Sequence, residues 1–386
     1  MSEKRIISGF LPKETPLRLL NVNDRSLSDL QEITSALPKL LLTNQIRSKV
    51  TDLNFDTLDL RKLSQPELKC LNVQLSFLAH AYIWGDKTPS TKLPSPLSEL
   101  WVKVSKILGR PPVLSYASYC LDNWHKIDPE KAISLNNIAL NYNFLGGIDE
   151  DWFVTIHICI EHAARGAIKS THKIVQLLLS GSQSENIKNE LFKILESLQE
   201  VNFIFRKMPD KCDPYIYYHR VRPYIFGWKN NPALPDGLIY ENCFDGVPQF
   251  FRGETGAQSS IIPTLDALFN VKHERDELRD YLDEMKNYMP PEHRKFIDYV
   301  ESNSKLSEFI DKNQDLQEVF DLCLSEISAF RSQHLQYASD YIHKQNTKNT
   351  LFGAGGSVVR GTGGTPFMRY LKKHRDETDK RKNRKS

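Results

Sequence analysis

Between Ser325 and Tyr341 the chain reads SEISAFRSQHLQYASDY, and its apolar residues recur there at steps of three and four. Only a helix gathers such positions on one face. Ile327, Phe330, His334, Ala338 and Tyr341 share that stripe, so it must be buried against another element. His334 sits mid-stripe with greasy neighbours above and below. A neutral imidazole in such a place needs partners for its nitrogens. Two answers are open from the pattern alone. A hydrogen bond to a neighbouring helix is the commoner one. The other is a metal, a haem iron above all, which often takes one axial His from an apolar helix.

Composition narrows the setting. A length of 386 residues leaves room for two or three domains, and an apolar fraction of 40% supplies a core. Lys and Arg number 51 against 48 Asp and Glu, so the net charge of +3 argues for no polyanionic partner. No apolar run follows Met1-Ser2-Glu3-Lys4-Arg5, so no signal peptide is expected, and no stretch is long or clean enough to span a bilayer. Cys70, Cys120, Cys159, Cys212, Cys243 and Cys323 are scattered without a CxxC. That spacing fits free thiols in a reducing compartment better than disulfides or a zinc site. The expected class is a soluble cytoplasmic protein.

Taken in order, the chain is a run of helical patterns. Asp29 to Val50 is helical and broken at Pro38. Ser64-Gln65-Pro66-Glu67 is a helix start, with Ser as cap, Pro in the first turn and Glu three residues after the cap. A Pro-rich loop over 85–97 and a short helix to about Leu108 follow, and Pro111-Pro112 opens another helix, VLSYASYCLDNW. A long helix is expected over Trp152–Leu179, with Phe153, His157, Ile160 and Ala164 on one face and small residues at 163–167 where a neighbour packs closely. More helices are expected at Glu185–Arg206, after Asp213-Pro214, and at Ile261–Phe269, His273–Tyr288, Pro291–Asn303 and Gln314–His343. In YIYYHRVRPYIFGW, Tyr218 and Arg222 lie four apart; an Arg there caps a carboxylate, snorkels to solvent or clamps a substrate. Residues 344–366 form a Gly-rich loop that lacks GK[ST] and follows no strand, so it is neither a P-loop nor a dinucleotide fingerprint, and reads as a linker or lid. The Lys- and Arg-rich tail beyond Tyr370 reads as a solvated helix end; without interleaved aromatics it gives no nucleic-acid signature. With hardly any period-two stretches and no internal repeat, the fold class is all-α.

Seven segments together resemble the indoleamine 2,3-dioxygenase family: AYIWG (81–85), PPVLSYASYCLDNW (111–124), GWKNNPALPDGLIYE (227–241), FRGETGAQSS (251–260), MPPEHRKFIDYVES (289–302), FRSQHLQYASDYI (330–342) and GTGGT (361–365). They fall in family order and spacing from about residue 65 to 370. The resemblance implies a small N-terminal helical domain (1–145) and a large C-terminal one (146–386) that holds haem b near their interface. It places His334 on the proximal haem ligand, Arg331 near a haem propionate, and Asp266 on the proximal side. Tyr116 and Phe153 match aromatic walls of the indole pocket, and Arg222 matches the arginine that pairs with the amino-acid carboxylate. Thr362 matches a residue near the substrate ammonium, which makes the Gly-rich loop a lid over the substrate. Residues 254–257, with Thr255 and Gly256, match the loop that lines the distal pocket.

Three departures stand out. His157 stands where the best-known animal forms have a serine; its imidazole either bonds the indole N–H or bound oxygen, or is a packed His bonded elsewhere. Tyr217 and Tyr218 replace a Phe pair and change the polarity of the pocket. Glu254 adds a carboxylate beside the distal loop, with an outward orientation expected. The implied activity is insertion of O2 across the indole C2–C3 bond of L-tryptophan to give N-formylkynurenine, the first step of the kynurenine pathway, which can feed NAD synthesis. The implied partners are L-tryptophan, O2 and an electron donor that keeps the haem ferrous, with no nucleic acid, no membrane and a monomeric chain. The alternative is a haem protein on the same scaffold that binds or senses oxygen without catalysis.

Overall fold

The helix expected at Ser64 begins there, for the expected reason. In the computed structural model, which describes residues 9–20, 25–55, 58–181, 183–273, 277–346 and 368–382, both the backbone N–H and the hydroxyl of Ser64 donate to Glu67 Oε2, at 2.8 and 2.6 Å. The longer helices are α1 (Arg25–Ser35), α2 (Gln65–Trp84), α3 (Ser95–Leu108), α4 (Ile148–Ala163), α5 (Arg165–Leu179), α6 (Ser184–Phe205), α7 (Ile261–Phe269), α8 (Glu277–Lys286), α9 (Pro291–Asn303), α10 (Gln317–Ala338) and α11 (Met368–Lys382). Among the described residues, strands amount to two short ladders: Lys92–Leu93 runs parallel to Ile239–Tyr240, and Trp124–Lys126 antiparallel to Ile138–Leu140. The protein is predominantly helical. No described helix is long and apolar enough to cross a membrane. All six cysteines are free thiols, as their spacing suggested.

The helix read over Trp152–Leu179 is two helices, broken at Ala164. The cause lies on α6. The hydroxyl of Ser197 donates to the carbonyl of Ala163 (2.6 Å) and accepts the N–H of Ala167 (3.1 Å), so a side chain from another helix satisfies backbone groups at the break.

One other expected helix is shorter than read, and another widens at its end. VLSYASYCLDNW forms only a wide π turn over Ala117–Leu121, closed by Asp122 N–H to Ala117 O at 2.9 Å. The side chain of Asn123 then bonds Tyr119 O, Tyr142 O and Tyr142 N and turns the chain into a strand. Helix α10 stops at Ala338 and continues as a second π turn, Ser339–His343. A third π turn spans Tyr217–Val221. Wide turns of this kind are frequent at functional sites, because they re-aim the side chains around them.

Helix α10 packs between α6 and α11, and α6 packs in turn on α4 and α5. The tail is therefore not a solvated end. His374, Thr378 and Arg381 recur at steps of four and three on α11 and are buried against α10 and its neighbours. Arg381 donates to Phe269 O and lies over the Phe320 ring at 5.1 Å.

Two glycines fix the loop that precedes α7. Residues 225–229 run against 251–254, held by Trp228 N–H and Lys229 N–H to Phe251 O (3.0 and 2.9 Å) and Glu254 N–H to Ile225 O (3.1 Å). Gly227 and Gly253 meet at the crossing, where a Cβ on either would stand 2.2 Å from the other's backbone nitrogen. Gly253→Ala is therefore expected to cost about 3 kcal/mol or more by overpacking against main chain that cannot yield. Urea unfolding of the variant checks this; an unchanged midpoint would show that the crossing is not constrained.

Candidate active site

Helix α10 carries its apolar stripe against a cavity of about 610 Å³. His334 faces that cavity, with Phe330 and Ala338 on either side of it along the helix. From the opposite wall α4 brings Phe153, His157 and Ile160, again at steps of four and three. Residues 254–257 and Tyr217 close the space between them, and Tyr116 completes the aromatic wall. His157 lies 4.5 Å from the Phe153 ring and 5.9 Å from the Tyr116 ring, and Phe153 lies 4.7 Å from Tyr217, all between centroids.

The two imidazoles differ in how they are held. His157 Nδ1 is 2.8 Å from the carbonyl of Phe153, one turn back. That contact needs Nδ1 to carry the proton, which leaves the Nε2 lone pair as an acceptor. Burial holds the His157 pKa below its usual value against the pull of that carbonyl. His334 has no hydrogen bond to another described residue; burial, and behind it the charge of His157 across the cavity, bring its pKa down to about 4. Its ring is only half-buried by accessible surface because it faces the cavity. The cavity is deep, so desolvation still governs the ring. Both imidazoles are neutral at physiological pH, and both line the one cavity.

The wall around Tyr116 is tied together by a carboxyl. Glu161, one turn beyond His157, accepts from the Tyr116 hydroxyl (3.0 Å) and the Ser259 hydroxyl (2.7 Å) through one oxygen. Burial raises its pKa to about 7, with both hydroxyls pulling it down. The Tyr116 N–H donates to Gln258 Oε1 at 2.8 Å, and Gln258 Nε2 donates to Gly253 O at 2.9 Å. Glu254 does not point outward as expected: it is 2% exposed and lines the cavity. The backbone crossing at Gly227 and Gly253 leaves its side chain that direction.

On the other side lies a cluster of charges. One guanidinium nitrogen of Arg331 donates to both oxygens of Asp266, at 2.9 and 2.7 Å. Arg331 also bonds Thr378 Oγ1 and the His374 carbonyl on α11. His273 bridges two carboxylates, Glu377 through Nδ1 (2.5 Å) and Asp266 through Nε2 (3.3 Å), and stacks on His374 at 4.0 Å. Burial pushes the Asp266 pKa up, but the Arg331 charge and His273 more than reverse it, and the net shift is down. For His273 burial lowers the pKa, and Asp266 with Glu377 more than reverses that, so the net shift is up. Donor atoms of His273, His374 and Glu377 lie within 4.8 Å of one another, a spacing a metal ion can use. With Arg331 alongside and a carboxylate on each His273 nitrogen, the group reads instead as a charge-balanced ion cluster.

The structure thus brings Tyr116, Phe153, His157, Tyr217, Thr255, Gly256, Asp266, Arg331 and His334 around one cavity. Tyr218 and Arg222 stand outside its lining. The Tyr218 hydroxyl donates to Asn346 at 2.7 Å, and the Arg222 guanidinium lies between the Tyr218 and Phe226 rings at 5.1 and 5.0 Å. Thr362 and most of the Gly-rich loop lie outside the described residues. Glu161, His273 and His374 were missed in the sequence. For Glu161 a signal existed, since Phe153, His157 and Glu161 repeat every four residues. For His374 it was the stripe His374, Thr378, Arg381 within a tail dismissed as basic.

The residues present fit haem. Phe205 and Phe330, stacked at 4.8 Å between centroids, give a flat apolar wall beside His334. His334 offers an unprotonated imidazole with no protein partner among the described residues. Arg331, Lys272 and Arg279 border the cavity as cations for carboxylate substituents.

The sequence model of the indoleamine 2,3-dioxygenase family matches residues 5–381. Indoleamine 2,3-dioxygenase 1 of Rattus norvegicus is 35% identical over 356 residues, covering 89% of this chain and 86% of that protein. Indoleamine 2,3-dioxygenase of Saccharomyces cerevisiae is 33% identical over 422 residues, covering 97% and 92%. Indoleamine 2,3-dioxygenase 2 of Homo sapiens is 31% identical over 358 residues, covering 90% and 87%.

The ion cluster makes stability depend on pH in a defined sense. His273 has a raised pKa in the folded state, so its contribution is full below the ordinary value of 6.5 and fades as pH rises through the raised value. Asp266 has a lowered pKa, so its contribution is full above 3.8 and fades as pH falls through the lowered value. Urea midpoints measured from pH 6 to 9 are expected to fall more steeply for the wild type than for His273→Gln. Parallel curves would contradict the bridged imidazolium.

Proposed function

The chain belongs to the indoleamine 2,3-dioxygenase family, and on that premise we propose how the residues of its cavity share the work of opening the indole ring. The enzyme is a haem-dependent dioxygenase. It inserts both atoms of O2 across the C2–C3 bond of L-tryptophan, giving N-formylkynurenine and so starting the breakdown of tryptophan to kynurenine. The observation that carries the reading is a pair of neutral imidazoles, His334 and His157, lining one cavity walled by aromatic rings.

When bound, haem b supplies the redox chemistry that lets O2 react with a closed-shell indole. His334 would hold its iron, a role for which its desolvated, unprotonated ring is suited. Arg331 is held by Asp266 in one orientation. With its other terminal nitrogen on Thr378 and the His374 carbonyl, only its Nε–H would be left for a propionate, while Asp266 acts on this side of the cavity through the pair rather than by touching His334. Opposite, His157 uses its Nε2 lone pair to accept the indole N–H, so it orients the ring and removes no proton. Tyr116, Phe153 and Tyr217 wall the ring, and the Glu161 tie keeps Tyr116 against the 254–259 loop. Arg222, with its guanidinium between two aromatic rings, takes the amino-acid carboxylate, and Tyr218 backs it. Thr255 and Gly256 line the distal side, and Thr362 meets the ammonium when the Gly-rich loop closes and excludes water.

At a coarser level the proposal includes a small N-terminal helical domain (1–145) and a large one (146–386) with the haem near their interface. It also includes one haem per chain, an electron donor that keeps the haem ferrous, and a monomeric protein in the cytoplasm.

Two outcomes are expected from the haem-loaded protein, reduced and in air. Wild type builds up the absorbance of N-formylkynurenine with L-tryptophan, whereas His334→Ala loses both the Soret band on gel filtration and turnover; full haem retention by the variant would remove His334 from the iron. His157→Ala weakens L-tryptophan binding by about fivefold to tenfold, the worth of one hydrogen bond. Binding of N1-methyl-tryptophan, which has no indole N–H, is unchanged by the same substitution. An equal loss for both ligands would assign His157 to packing.

A further inference from the structure

A second set of ligand atoms lies apart from the two imidazoles that the reaction uses. His273 follows α7, and His374 and Glu377 stand three residues apart on α11, so both project from one face of that helix. Donor atoms of the three lie within 4.8 Å of one another. His273 Nδ1 is 2.5 Å from Glu377 Oε2, and the His273 and His374 rings stack at 4.0 Å and 30°. The side chains of His273 and Glu377 are 3% and 8% exposed, and His374 is buried with them. Asp266 completes the group: its Oδ2 is 3.3 Å from His273 Nε2, the nitrogen on the far side of the ring from Glu377.

We propose that His273, His374 and Glu377 form a binding site for a divalent transition ion of the zinc class, which clips α11 to the segment that follows α7. Without metal the same atoms make the ion cluster described above, and the His273–Glu377 hydrogen bond occupies the place of the ion. Two imidazoles and one carboxylate suit zinc, whereas magnesium and calcium take oxygen ligands. A tetrahedral ion with bonds of about 2.0–2.1 Å needs donors roughly 3.4 Å apart. The separations here, from 2.5 Å for the hydrogen-bonded pair to at most 4.8 Å, bracket that value. Asp266 has the part of a carboxylate that holds a ligating histidine: it accepts the His273 Nε2–H and so fixes the tautomer that turns the Nδ1 lone pair to the metal. Arg331 stays on Asp266 and neutralises this carboxylate, which does not itself ligate. Lys373 Nζ lies 3.7 Å from Glu377 Oε1 and is 30% exposed, so it can withdraw into solvent when the ion arrives. Both histidines border the cavity, and the fourth position falls to water.

The test uses the haem-loaded full chain, so that His334 is occupied, dialysed against Zn2+ and assayed for metal. Wild type is expected to hold one zinc per chain, and so is His343→Ala, a control at an exposed histidine. His374→Ala and Glu377→Gln each weaken zinc binding by about tenfold or more, the least that loss of a ligand costs. Excess Mg2+ leaves the zinc in place. Zinc X-ray absorption of the wild type shows two imidazoles and oxygen at about 2.0–2.1 Å, and it decides the matter even where a variant fails to fold. Zinc also raises the urea midpoint of the wild type and leaves that of His374→Ala unmoved. No zinc on the wild type, undiminished affinity in either ligand variant, displacement by Mg2+, or a shell with fewer than two imidazoles overturns the inference. None of these readouts uses turnover of L-tryptophan, so the dioxygenase reading stands or falls separately.

Discussion

Desolvating the ring of His334 while leaving its nitrogens to an apolar cavity is the constraint around which this fold is arranged. A buried polar group without a partner opposes folding, and here its surroundings hold it in place. Helix α10 is fixed on one side by α6 and on the other by α11, so the ring cannot turn toward solvent. Arg331, one turn before it, is anchored by Asp266, by Thr378 and by the His374 carbonyl. These contacts set the register of α10 against α11, and with it the direction of His334. The same imidazole that is awkward for the apo chain is what a haem iron requires, so the binding of haem and the stability of this helix are linked.

The distal wall is built by different means. Backbone crossing at Gly227 and Gly253, with no room for a single Cβ on either side, holds the 254–257 loop. Hydrogen bonds from Tyr116 to Gln258 and Glu161 tie that loop to α4, where His157 sits. Burial keeps every titratable group on this wall in its neutral form or pushes it that way. The result is a pocket that positions an indole by hydrogen bonds and ring contacts without placing a full charge beside it. Arg222 stands outside the cavity lining, while Arg331, Lys272 and Arg279 border it.

What the sequence revealed was local. The capping box at Ser64, the stripe on α10 and the spacing of Phe153 and His157 are each contained within a turn or two of helix. What it concealed was set by distant residues. The break at Ala164 is made by Ser197 on another helix, and the inward turn of Glu254 depends on Gly227, far back in the chain. The burial of the basic tail follows from α10 presenting Arg331 to it. Tyr218 and Arg222, which resemblance places in the pocket, stand outside its lining, which no periodicity could reveal because the wide turn Tyr217–Val221 breaks the helical spacing.

The account turns on which imidazole in this cavity takes the iron, since His157, His273, His334 and His374 all border it. A crystal structure of the haem-loaded protein with L-tryptophan tests this most directly. The account predicts His334 on the iron, the indole N–H at His157 Nε2 and the carboxylate on Arg222. Iron held by any of the other three histidines, or an indole with its N–H turned away from His157, would contradict it.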